Sequence, residues 1–171
     1  MIAELLVLRL VHVLGGILWV GGSLLNVLFF VPALGAAGPA AGPVMGHLRA
    51  RRLHVIMPVV ALLTVLSGLR LLWIVSGDFQ AAWFATGAGA TYTVSGALAL
   101  IAFLIGVAWV APAARRMGGI GPALVSAPDD ATRASLQAEL ARMQKQLQRL
   151  GTVATVMITL AAAGMAVARY V

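Results

Sequence analysis

Residues 5–34 read LLVLRLVHVLGGILWVGGSLLNVLFFVPAL, with Arg9 as the one charge in the stretch. A membrane span needs roughly 20 consecutive apolar residues. This stretch is longer than that, so it tilts or projects beyond the bilayer. One face of it differs from the rest. His12, Gly15, Gly16, Trp19, Gly22, Ser23 and Asn26 recur at helical three- and four-residue steps among Leu, Val, Ile and Phe. A histidine inside a span is costly and turns toward a bundle interior, a cavity or a cofactor. Glycines beside it let another helix, or something flat, approach the backbone.

Three further stretches qualify as spans, at residues 55–75, 88–111 and 152–168. The composition agrees, with 61% hydrophobic and only 10% charged residues in a chain of 171, where a soluble domain carries about 25% charged residues. The expectation is an all-α, four-transmembrane-helix bundle forming a single domain over residues 1–171. The absence of cysteine excludes disulfides and thiolate chemistry. The net charge of +7 sets topology in a membrane protein. Without a basic patch interleaved with aromatics it does not point to nucleic acid. Arginine outnumbers lysine, and alanine and glycine abound, which suggests a GC-rich bacterial genome and the bacterial inner membrane. No basic region precedes the first apolar run, so it reads as a retained span and not a cleaved signal peptide.

The connections orient the bundle. Arg49, Arg51 and Arg52 lie in the Gly- and Pro-rich segment 35–53, and Arg115, Arg116, Arg133, Arg142, Lys145 and Arg149 lie between residues 112 and 149. The connection between the second and third spans has Asp78 and no basic residue. The positive-inside rule then places both termini outside. Pro128-Asp129-Asp130 is a helix-start signal. Leu136, Leu140, Met143, Leu147 and Leu150 share a helical face after it, so the fourth span begins as a cytoplasmic helical extension at about residues 130–150. That face packs on the bundle's own end or forms a dimer contact.

An internal repeat is also expected. The register that aligns Val31-Pro32-Ala33 with Ala111-Pro112-Ala113 pairs Gly16 with Gly96, Gly15 with Ser95 and His12 with Tyr92. Arg52-Leu53 matches Arg149-Leu150, and Gly68 matches Gly164 after a one-residue slip. Two pseudo-repeated helix pairs would place Tyr92 opposite His12, with a site between the halves.

Imidazole is the usual proximal ligand of haem iron and a common copper ligand. One reading is therefore a b-type haem protein, an electron carrier or small oxidoreductase. His12 would be the axial ligand, Gly15, Gly16 and Trp19 the porphyrin wall, and Arg9 and Arg70 the propionate partners. Tyr92, a methionine or a second subunit would supply the sixth position, and a quinone or cytochrome would exchange the electrons. A second reading is copper handling without haem, on His12 and the span methionines Met57, Met157 and Met165. A third is a structural or assembly subunit whose glycines only pack helices. His54 opens the second span at the basic end, too far along the bilayer to share an iron with His12. It marks a second metal site, a proton-transfer group or a plain interfacial residue, while His47 is solvated. Trp73 and Trp83 fit an outer interface belt.

The run from His12 through Gly15, Gly16 and Trp19 to Gly21 and Gly22 resembles the opening helix of CopD-like membrane proteins, which share a histidine, six residues, then Trp-x-Gly. Leu66-Ser67-Gly68-Leu69 is similar to the close of their second helix, and Pro112 with Arg115 and Arg116 to the end of their third. The resemblance implies copper handling and His12 as a metal or haem ligand. HemJ-type protoporphyrinogen oxidases also open with a histidine–tryptophan helix and bind haem b on that histidine. They add a lysine in a later span, whereas the one lysine here, Lys145, lies outside the spans.

Overall fold

The computed structural model describes residues 2–171, the side chains of Pro39 and Arg49 aside. Its framework is four long helices, each long and apolar enough to cross a membrane: α1 (Ile2–Ala37), α3 (Leu53–Val75), α5 (Gly87–Val125) and α6 (Asp130–Tyr170). Two short helices sit in the connections, α2 (Ala41–Ala50) between α1 and α3, and α4 (Ala81–Phe84) between α3 and α5. No strand occurs among the described residues. The expected all-α four-helix bundle is what forms.

Two helices run further than their apolar stretches. The apolar stretches end near Pro32 and Pro112, yet α1 continues to Ala37 and α5 to Val125. A proline inside a helix lacks an N–H and presses its ring on the carbonyl four residues back. Both helices relieve this in the same way, by widening the preceding turn into a π turn, at Asn26–Phe30 and at Gly106–Val110. The N–H of Val31 then reaches the carbonyl of Asn26, and that of Ala111 reaches Gly106. The two π turns stand at the same offset as Pro32 and Pro112, so the repeat read from small residues and prolines is also a repeat of backbone conformation.

Packing follows the repeat. The most extensive helix contacts are α1 with α3 and α5 with α6, while α1 also meets α6 and α3 meets α5. The repeated helices α1 and α5 therefore lie across the bundle from each other. Trp19 of α1 and Phe103 of α5 bridge that diagonal edge to face, with ring centroids 6.4 Å apart.

The interior is made of small groups. Buried positions in the spans include Ala61, Thr64, Ser67, Ser95, Ala102, Thr155, Ile158 and Ala161. Large side chains such as Leu6, Ile17, Phe29 and Leu160 point outward, where lipid solvates them. Helix association in lipid rests on close van der Waals packing, which small residues permit. The interior hydroxyls leave few orphan donors, since Thr64, Ser67, Thr155 and Thr159 each donate to a carbonyl of their own helix.

The leucine face of α6 makes an internal contact. Leu136, Leu140, Met143, Leu147 and Leu150 are all half-buried, and this arm packs on the distal part of α5, where Ile120 is buried. Helix α6 starts where Pro128-Asp129-Asp130 predicts. Asp129 caps it, its Oδ1 accepting the Thr132 N–H at 2.6 Å. That backbone N–H, aided by the Thr132 side chain, holds the Asp129 carboxyl below the ordinary aspartate value of 3.8. A carboxyl depressed by folding stabilises the cap above its ordinary value, and the contribution is lost as pH falls through the lowered one. Amide exchange at Thr132, corrected for intrinsic rates, should therefore accelerate as the pH drops below 3.8. Asp129→Ala should show the fast rate at every pH.

Candidate functional site

The site is built from α1 outward. His12 faces α3, and its Nδ1 lies 2.8 Å from the backbone carbonyl of Thr64. A carbonyl only accepts, so Nδ1 carries a proton and donates, and Nε2 is the ring nitrogen that this bond does not use. Nε2 makes no hydrogen bond among the described residues. This is the arrangement in which a second group fixes the tautomer and orientation of a ligating imidazole.

The ring reaches that carbonyl because α3 has no side chain beneath it. A Cβ at Gly68 would sit 2.7 Å from His12 Cε1 and 3.0 Å from Nδ1. One turn away Gly15 performs the reverse service, its missing Cβ making room for the Thr64 side chain. The helices are thus keyed twice, by Gly15 on α1 and Gly68 on α3. In the repeated pair, Gly164, the counterpart of Gly68, receives Ser95, the counterpart of Gly15. The seat taken by an imidazole in one half is taken by a hydroxyl in the other.

His12 lines a half-open hollow of about 60 Å³. All four long helices contribute: Gly16, Trp19 and Val20 from α1, Thr64 from α3, Ala99 from α5, and Ile158 and Met165 among others from α6. The Thr64 hydroxyl is occupied by the Val60 carbonyl at 2.8 Å. Among the residues bordering the hollow, His12 and Met165 have side chains with a nitrogen or sulfur that makes no hydrogen bond among the described residues. No group of three His, Cys, Asp or Glu side chains comes together among the described residues.

The remaining residues singled out from the sequence disperse. Gly16 and Trp19 border the cavity, whereas Gly15 is used by the α1–α3 contact. Arg70 is not an open anion partner, because its Nε and Nη2 donate to Glu4 Oε1 at 2.9 and 2.7 Å. Its guanidinium also lies 5.9 Å from the Trp73 ring centre. Arg9 is exposed on α1. Tyr92 stacks on Trp83, with ring centroids 6.3 Å apart and 13° between planes, and is not at the cavity wall. His54 is exposed at the start of α3, about 15 Å along the helix from Thr64 at 1.5 Å per residue. His47 is exposed on α2.

Three elements of the site escape a sequence reading. Gly68 was visible as a repeat position but not as the seat of His12. Glu4 was visible as the lone carboxylate before Arg9, and antiparallel pairing of α1 with α3 brings it to Arg70. Met165, indistinguishable in sequence from the other span methionines, is the one at the cavity.

The fold and the site define a class: a multi-pass, all-helical membrane protein with a single histidine keyed into its interior. No family model, no curated protein and no solved structure matches the chain.

The seat makes a sharp demand on one glycine. Gly68→Ala should displace the imidazole and destabilise the detergent-solubilised protein by about 1–3 kcal/mol, the range for overpacking a filled site. Gly96→Ala, where a Cβ meets nothing within 4 Å, should leave thermal unfolding followed by circular dichroism unchanged or raise its midpoint.

Proposed function

We propose that this is a copper-handling protein of the bacterial cytoplasmic membrane that holds one copper(I) ion beside His12. The observation that carries the reading is that an imidazole oriented by a backbone carbonyl, His12, and a thioether, Met165, both border one small hollow. Imidazole suits copper, and thioether sulfur selects its soft, reduced state. His12 Nε2 and Met165 Sδ are the donors, and the electron-rich face of Trp19 is suited to lie beside a cation. The Thr64 carbonyl holds the imidazole in place. A bound ion would supply reversible soft-metal coordination within the membrane, to be passed on by ligand exchange.

Size favours an ion over a porphyrin. Pockets for cofactor-sized molecules run to about 300–1,000 Å³, against 60 Å³ here. One of the two charges that would meet propionates is neutralised as well, since Arg70 is engaged by Glu4. Haem on His12 would require the helices to part or a site on the lipid-facing surface.

Anaerobic titration of the purified protein with copper(I) against a chromophoric chelator tests the reading. One ion per chain is expected. His12→Ala should abolish binding, and Met165→Leu should weaken it by at least about tenfold, the order associated with removing a supporting group from a metal site. Unchanged stoichiometry in His12→Ala would overturn the assignment. A Soret band in the wild type that vanishes in His12→Ala would replace copper with haem.

A further inference from the structure

We infer that the basic end of the bundle carries a binding site for one anionic phospholipid, its acyl chain lying in a groove between α1 and α6 and its phosphate held by Lys145 and Arg149. The groove has a volume of about 220 Å³ and is lined by Leu24, Val27 and Leu28 of α1 and by Thr152, Val156 and Leu160, among others, of α6. It opens at the level of the first π turn, where the widened backbone of α1 carries Val27 and Leu28. Its threonines present methyls, because the hydroxyls of Thr152, Thr155 and Thr159 are each spent on a carbonyl of α6 at 2.8–2.9 Å. The lining is therefore chemically a hydrocarbon surface, at a depth where hydrocarbon chains are the solvent.

The second observation is charge. Lys145, Arg149, Thr152, Val156 and Leu160 follow one another at four- and three-residue steps, so the two cations stand on the same face of α6 as the groove and directly continue it. Both are exposed. Neither forms an ion pair among the described residues, in which the salt bridges are Arg70–Glu4 and Arg133–Asp130. An apolar slot that ends in two unneutralised cations matches an acyl chain that ends in a phosphate. Basic pockets between helices at this end of a membrane protein are suited to anionic head groups, each cation near the surface contributing a factor of about five in binding. A neutral lipid would use the groove and leave the cations unpaired, and free phosphate would use the cations and leave the groove empty.

The test is native mass spectrometry of the detergent-solubilised full chain titrated separately with dioleoyl phosphatidylglycerol, dioleoyl phosphatidylcholine and inorganic phosphate. One phosphatidylglycerol per chain is expected to persist at concentrations where phosphatidylcholine has dissociated. Lys145→Gln with Arg149→Gln should weaken phosphatidylglycerol by about 30-fold and leave phosphatidylcholine unchanged. Thr152→Phe, at an exposed position that tolerates bulk, should weaken both lipids by filling the groove. Equal affinity for the two lipids in the wild type, or no change in the double variant, would overturn the head-group assignment. Phosphate binding as tightly as phosphatidylglycerol would overturn the acyl-chain part. A dimer that Thr152→Phe converts to monomer would overturn the proposal in favour of a second copy of the chain as occupant.

Discussion

The structure depends on how closely α1 and α3 approach each other. Two missing side chains make that approach possible, one on each helix, and each is filled by a group from the other: Thr64 over Gly15 and His12 over Gly68. With no hydrophobic force between helices in lipid, such keyed contacts carry much of the association energy. The hydrogen bond from His12 to the Thr64 carbonyl is their product. A wider spacing would leave the imidazole to rotate.

The repeat explains why only one half carries the site. The second helix pair keeps the π turn, the proline after it and the glycine seat at Gly164. It has replaced the occupant of that seat with Ser95, and Tyr92, the counterpart of His12, turns away to stack on Trp83. The architecture is shared between the halves and the chemistry is not. The hollow lies where the halves meet, so α6 supplies Met165 and α1 supplies His12 to its border.

The spans, their pairing and the start of α6 were legible in the sequence because each rests on local chemistry. Apolar length marks a span, and Asp129 after Pro128 marks a helix start. That His12 turns inward to another helix was also legible, since a histidine amid Leu and Val has few other places to go. What escaped depends on the approach of distant segments. Arg70 read as a partner for an exogenous anion until antiparallel packing brought Glu4 to it. Segment 35–53 read as a loop because glycine and proline dominate it, yet Ala41–Ala50 is helical. The apolar stretches end near Pro32 and Pro112, and single-residue rules take no account of the π turn that carries each helix past its proline.

The placement of large and small side chains carries a consequence for the folding of the chain. Leu, Ile and Phe face outward while Ala, Gly, Ser and Thr fill the centre, the reverse of what burial from water would select. Transferred to water, the bundle would hide little apolar area by closing, so its compact form would gain almost nothing over separated helices. Insertion of each helix and assembly of the four are therefore distinct thermodynamic events, the first driven by leaving water and the second by fit alone. A water-soluble relative would need more than polar residues on its outer surface. It would need a different interior.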